Sequence, residues 1–409
     1  MAENGDASPA SSACASAPSP HEKDKAERIL EACRNHDLDS LAALATSPGG
    51  LVDDALRRTA WPVLLGCTGP PPASDDATPW SELPPHRDEG QVALDVNRSF
   101  VFYPNNQSDK ELEIRKQQLS DVIVETLRRH PSLCYFQGFH DIAQVLLLVL
   151  GPEESAYAVR RLSLLRIRDF MLPTLTAALQ HLHLLPSILY AEDPELCTHL
   201  PPNPFFALSA TITLYAHDIE EYSSIARLFD FLLAREAVMS VYLFAVIILV
   251  RKDELLEVGL DEPEMLHFLL SKLPQPLDLE GLIEKTMSLF ERHPPERLPF
   301  RAWRGISQYS VLKTTRDYTA LARMTLGDGE ELLDMQARYV RRQEALQKLV
   351  AGARKTLRTN KRPIMFSLAI VMGVLAVFMG RKNGTQPYWS GLLWPGLWQS
   401  GRRGLAALF

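Results

Sequence analysis

The sequence predicts an all-α protein: an irregular multi-helix domain followed by a C-terminal transmembrane helix. Three observations carry this. Apolar residues recur at helical spacing from about residue 108 to residue 292. No run shows the period-two alternation of a half-buried strand, and no hairpin turn separates such runs. No fixed-length repeat appears, which argues against a regular solenoid, and one late stretch, 364–380, runs for seventeen residues without a charge.

In chain order, residues 1–21 are mostly Ala, Ser and Pro and are expected to be a disordered tail. Residues 22–50 read as one or two short helices. The stretch 51–66 ("LVDDALRRTAWPVLLG") places Leu51, Ala55 and Leu56 on one face and ends at a glycine. The prolines of 67–85 leave no room for a regular element. Ser108 or Asp109 can cap a helix that carries Leu112, Leu119, Val122, Ile123 and Leu127 and stops at His130-Pro131. Further helices are expected at about 134–150, 153–169, 174–190, 203–216, 222–234, 237–252, 262–272 and 279–292. The folded domain is therefore expected over 51–295, with a linker and a charged helix over 296–362.

Composition sets the bounds. With 409 residues and 46% apolar content, one domain of ordinary size can bury a substantial core. The net charge is −7, and no concentrated Lys/Arg face precedes the C-terminal third, which excludes nucleic acid as an expected partner. Five scattered cysteines, at 14, 33, 67, 134 and 197, form no CxxC pair and read as reduced thiols in a cytosolic domain. No charged start followed by an apolar core is visible at the N-terminus, so no secretory signal is expected.

The run 364–380 spans about 25 Å as a helix, the short end of what crosses a bilayer. A segment over 363–381 suits the thinner membrane of the endoplasmic reticulum. Arg354, Lys355, Arg358, Lys361 and Arg362 precede it and only Arg381 and Lys382 follow closely, which leaves the large N-terminal part in the cytosol. The tail 382–409 is apolar and Trp-rich, suited to the membrane interface or to a second half-span. The run 237–250 is only fourteen residues long and is read as a core helix.

Two polar triplets stand out. "QVALDVNRSF" places Val92, Asp95 and Arg98 three apart, on one face of a helix, where Asp95 can hold the Arg98 guanidinium and leave its outer donors free. Alone, this is equally an ordinary surface ion pair. "LCYFQGFHD" sets Gln137 between Phe136 and Gly138; in an extended or tightly turned segment Tyr135 and Gln137 point the same way, and Gly138 permits positive φ or close backbone approach. Alone, Gln137 is equally a glutamine that satisfies buried backbone.

Together the two stretches resemble the signatures of the TBC domain, the family of Rab GTPase-activating proteins. The first follows the family's apolar-x-x-Asp-x-x-Arg as Val92, Asp95 and Arg98, with Ser99 where Thr is common. The second follows Tyr-x-Gln-Gly as Tyr135, Phe136, Gln137 and Gly138; Asp141 matches a common Asp, and His140 stands where many members have Asn. Arg57, Trp61 and the "LLG" at 64–66 are similar to the family's opening block, and "RLFDFLL" at 227–233 to its Arg-x-Trp-Asp block, with Phe229 in place of Trp.

The resemblance implies that Arg98 and Gln137 are catalytic fingers supplied in trans, supported by Asp95, Tyr135, Gly138 and Asp141. It implies no cofactor or metal of the chain's own, since GTP and Mg²⁺ are carried by the partner, a Rab small GTPase; the protein would complete another protein's active site rather than act as an enzyme itself. With the membrane segment, it implies residence in the endoplasmic reticulum membrane, extending to the early Golgi, and a role in early secretory traffic. A catalytically silent Rab-binding scaffold and a membrane-shaping protein are the alternatives.

Overall fold

A computed structural model describes residues 19–67, 78–104, 107–259 and 261–359. Of the disordered tail expected over 1–21, residues 1–18 lie outside the described residues, as do the transmembrane segment 363–381 and the apolar tail 382–409, whereas residues 19–21 are ordered at the start of the first helix, capped by Ser19. The described residues contain helices and no strand. Residues 1–342 form one compact unit and 343–409 another.

The helices are α1 (Pro20–Asn35), α2 (Leu38–Thr46), α3 (Asp54–Leu65), α4 (Glu89–Val96), α5 (Asp109–Arg129), α6 (Phe139–Leu165), α7 (Thr176–Leu182), α8 (Leu185–Glu192), α9 (Pro194–His199), α10 (Leu208–Ile212), α11 (Tyr222–Ala234), α12 (Met239–Leu249), α13 (Lys252–Glu257), α14 (Pro263–Leu270), α15 (Leu279–Arg292), the short α16 (Ala302–Gly305), α17 (Val311–Thr314) and α18 (Tyr318–Arg323), and α19 (Leu326–Thr359). Their ends follow from local chemistry. Ser108 and Glu111 exchange side-chain and backbone bonds at the start of α5, and Ser19 and Glu22 do the same for α1. Asp53 caps α3, which stops at Gly66 with φ +73°.

Helix α6 is long and apolar enough to cross a membrane by composition. It is two helices that meet at a kink, where Gly151 takes φ +79° and ψ 171° ahead of Pro152. Its first half is the buried axis of the domain and packs on α5 and α3. In α12 all ten residues from Met239 to Ile248 are buried, against α15 and α8, as a core helix requires.

Several boundaries differ from the sequence reading. The helix expected from 134 begins at Phe139, because 133–136 is irregular and a turn at Gln137–Gly138 leads into the helix. The helix expected over 174–190 divides into α7 and α8, with Pro186 in the first turn of the second. The one expected over 203–216 shrinks to a 3₁₀ turn at Phe205–Ala207 and α10, and Leu214 and Tyr215 both adopt positive φ beyond it.

The domain also extends past both expected edges. Ile29 of α1 and Leu41 of α2 are fully buried. After residue 295, where a linker is expected, Trp303, Val311, Leu312 and Leu321 are buried. Buried arginines stitch this segment to the body. Arg161 donates to Leu65 O (2.6 Å) and Met324 O (2.8 Å), and Arg168 to the Thr314 hydroxyl (2.8 Å). Each guanidinium offers five donors to the carbonyls left over at helix ends.

The buried Asp230 on α11 joins α3 to α11. Its carboxylate accepts from Arg57 Nε and Nη2 (both 3.0 Å at the nearer oxygen), from Trp61 Nε1 (2.8 Å) and from Leu51 N (3.0 Å). Phe229 lies beside Trp61, ring centroids 6.0 Å apart. Burial pushes the Asp230 carboxyl up, and Arg57 and the other donors pull it back. Asp230→Ala removes the buried partner of Arg57 and leaves Asp54, at 2.9 Å from Nη1, as its remaining acid; it is expected to cost about 3 kcal/mol or more in urea unfolding, and a loss near zero would contradict this role for the pair.

Candidate functional site

Helix α4 ends at Val96, and the chain tightens into a last turn in which Arg98 N bonds Asp95 O (3.0 Å) and Ser99 N bonds Val96 O (3.0 Å). This keeps the i,i+3 relation of Asp95 and Arg98 although Arg98 lies past the helix. Asp95 is fully buried, whereas the Arg98 side chain is 63% exposed. Asp95 Oδ1 accepts from Arg98 Nη2 and from Gln91 Nε2 (3.0 Å), and Oδ2 accepts from the Tyr135 hydroxyl (2.9 Å). One carboxylate thus holds the base of an exposed guanidinium and the ring of the residue two before Gln137.

The segment carrying Tyr135 is tied to α4 at both ends. Asp88, just before the helix, accepts from Tyr135 N (2.9 Å), and His86 Nε2 bonds Leu133 O (3.1 Å). Arg128 of α5 grips Glu89 with Nε at 2.7 Å and Nη2 at 2.9 Å and so fixes the start of α4. Gln137 is exposed, and Gly138 after it takes φ +101° as the chain turns into α6. A Cβ on Gly138 would lie 2.5 Å from Thr213 Cγ2, so only glycine fits both the conformation and the space.

Arg98, Gln137, Gly138, His140 and Asp141 line one open groove of about 470 Å³, completed by Phe100–Tyr103 and by Thr213 and His217 from the segment after α10. The structure therefore brings both triplets to one surface. Asp95 and Tyr135 stand behind the groove as supports, and Asp141 takes part in its wall. Val101 and Phe102 are exposed and give the groove an apolar rim.

His140 Nδ1 is 3.1 Å from the Tyr135 hydroxyl, and its Nε2 is 3.3 Å from Asp141 Oδ1, so this ring bridges two of the supporting residues. Burial lowers the His140 pKa against the pull of Asp141 and Asp95. Burial, reinforced by the Asp95 charge, holds the Tyr135 phenol well above its usual range, so it remains a donor. On the opposite wall His217 Nδ1 bonds Asp141 Oδ2 (2.9 Å), and this bond raises the His217 pKa. Arg98 thus presents positive charge to the cavity that His217 also lines.

Sequence reasoning did not single out Phe100, Gln144, Thr213 or His217. Phe100 adopts φ +62°, a strained backbone for a bulky residue, and its N–H is held by Gln144 Oε1 at 2.9 Å. The one available signal was that Gln144 is the sole polar side chain in "IAQVLLLVL".

Residues 54–256 match the Rab-GTPase-TBC domain family. TBC1 domain family member 20 of Mus musculus is 34% identical over 348 residues, which cover 83% of this chain and 84% of that protein. GTPase-activating protein gyp10 of Schizosaccharomyces pombe is 33% identical over 296 residues, 71% of this chain and 78% of its own. The Chlamydomonas flagellar RabGAP TBC domain structure aligns with 66% of this chain and 93% of its own at TM-score 0.49 and 13% identity.

The groove's geometry is tested at its turn. Gly138→Ala is expected to destabilise the protein by about 1–3 kcal/mol in thermal or urea unfolding, from the positive φ together with the contact on Thr213. Adding Thr213→Ser removes the contact but not the backbone strain, so recovery should be partial; a neutral Gly138→Ala would contradict the turn as described.

Proposed function

Since the chain belongs to the Rab-GTPase-TBC domain family, we propose that it is a GTPase-activating protein for Rab-type small GTPases, with Arg98 and Gln137 supplied in trans. The observation that carries this reading is their shared groove, with Arg98 exposed and its guanidinium anchored on a buried carboxylate.

Hydrolysis of GTP builds negative charge on the γ-phosphoryl and on the bridging oxygen. An arginine with one terminal nitrogen, Nη2, held by Asp95 has Nε and Nη1 left to face that charge, in a planar fork that lysine lacks. Holding it in advance reduces the ordering lost at docking. Gln137 offers an amide that both donates and accepts, the chemistry needed to orient a water for in-line attack. Tyr135 and Gly138 set where Gln137 stands, and Asp141 and His140 brace Tyr135 from behind. GTP and Mg²⁺ come with the partner, and the chain contributes charge and position only.

The apolar run 364–380 gives the activator an anchor in the endoplasmic reticulum membrane, with the helical domain in the cytosol and the early Golgi within reach. Rab proteins are themselves membrane-bound, so sharing one surface raises the effective concentration of the pair and directs the activity to early secretory traffic.

In single-turnover GTP hydrolysis with a panel of Rab proteins, Arg98→Ala is expected to remove about 10³- to 10⁵-fold of acceleration, or about 4–7 kcal/mol. Arg98→Lys should recover little of it, and Gln137→Ala should also be severely impaired. Variant rates equal to an accelerating wild type would contradict the finger assignment, and a wild type that accelerates no Rab would leave a silent Rab-binding scaffold. Deleting 360–409 is expected to move the protein from the membrane to the soluble fraction on cell fractionation; retention on membranes would contradict the anchor.

A further inference from the structure

A second groove lies within the compact unit, away from the fingers, between the segment around α16–α17 and one face of α19. Its volume is about 530 Å³, and its lining includes Arg304, Lys313, Arg338 and Arg342 with no carboxylate among the lining residues. Pockets of this size take small molecules. Lys313 is half-buried, and its ammonium donates to Ile306 O at 2.6 Å and stands 5.6 Å from the Trp303 ring centroid. That fixes the ammonium on the wall with two donors left over. Arg338 also pairs with Asp334, 3.8 Å away on α19, where both side chains are well exposed and the pair is weak.

We infer that this groove binds a phosphorylated inositol headgroup of a membrane lipid, held through its phosphates by Lys313, Arg338 and Arg342. Four cations converge on one concavity, and a ligand with a single phosphate would leave most of them unmatched. Two or more phosphomonoesters on a small ring match both the charge and the volume. The arginines supply planar forks for phosphate oxygens, and Lys313 supplies a fixed point charge. The lipid as the source rests on the proposed anchoring: beyond Arg342 the chain carries Arg354, Lys355, Arg358, Lys361 and Arg362 before its apolar run. Headgroup binding would set the domain's attitude on the membrane, and it uses no residue of the finger groove.

The test is calorimetric titration of the full chain in phosphatidylcholine nanodiscs with soluble inositol trisphosphate. Saturable one-site binding is expected, at least tenfold weaker in Lys313→Gln/Arg342→Gln, with the unfolding temperature and the acceleration of GTP hydrolysis unchanged. Inorganic phosphate should bind at least a hundredfold more weakly, and equal binding would overturn the headgroup assignment in favour of free phosphate. Nanodiscs containing a phosphoinositide should compete with the soluble headgroup, and failure to compete would overturn the lipid source. No saturable binding, or binding indifferent to the double substitution, would overturn the site itself.

Discussion

The groove that carries Arg98 and Gln137 depends on the carboxylate of Asp95. It is fully buried, so its charge is tolerable only because donors surround it. Those donors come from three places: Gln91 one turn earlier on α4, Arg98 one turn later, and Tyr135 from a segment forty residues away. Satisfying one buried charge therefore draws the end of α4 and the approach to α6 together. It also fixes which atoms remain outside. The Arg98 guanidinium is anchored at one nitrogen while most of the side chain faces solvent, and Gln137, two residues beyond the anchored Tyr135, emerges beside it at the same groove. The pair joins a fully buried carboxylate to a mostly exposed guanidinium, and its value is positional.

The rest of the unit makes that position durable. Arg128 on Glu89 holds the start of α4, Arg57 on Asp230 ties α3 to α11, and Arg161 and Arg168 bind the segment after residue 300 to the body through leftover carbonyls. One strained feature lies at the groove itself, Phe100 with positive φ, beside a turn at Gly138 that glycine adopts without strain. Such strain persists where the surroundings over-determine it, and here Gln144 on the first half of α6 and the segment after α10 do so. On the proposed reading, rigidity is the purpose: the fingers meet another protein's nucleotide without further ordering.

The sequence made the helices with strong local signals legible. α5 has its capping box, α11 and α15 their apolar stripes, and the break at Gly151-Pro152 needs only the steric properties of those two residues. It hid what tertiary contact decides. The stretch 133–138 is apolar enough for a helix and stays irregular, with Asp88, Asp95 and His86 holding its backbone and its tyrosine. The segment after 295 looked like a linker because its few large apolar residues follow no period, yet they are buried. In the groove, Arg98, Gln137 and their supports were readable only through the family resemblance that the two triplets carry together; taken singly, each triplet was more simply an ordinary ion pair or a buried glutamine. His217 and Thr213 were not, because they reach the site only through the packing of the segment after α10, which no local pattern encodes.

The most direct test of the account is the affinity of the full chain for a responsive Rab carrying GDP, with and without aluminium fluoride, which mimics the transferring phosphoryl group. Groups that act on the transition state bind its analogue more tightly than the ground state. The account predicts a complex that depends strongly on fluoride and loses that dependence in Asp95→Ala, where Arg98 remains present but unanchored. A fluoride dependence that survives the loss of Asp95 would contradict the claim that this buried carboxylate sets the finger.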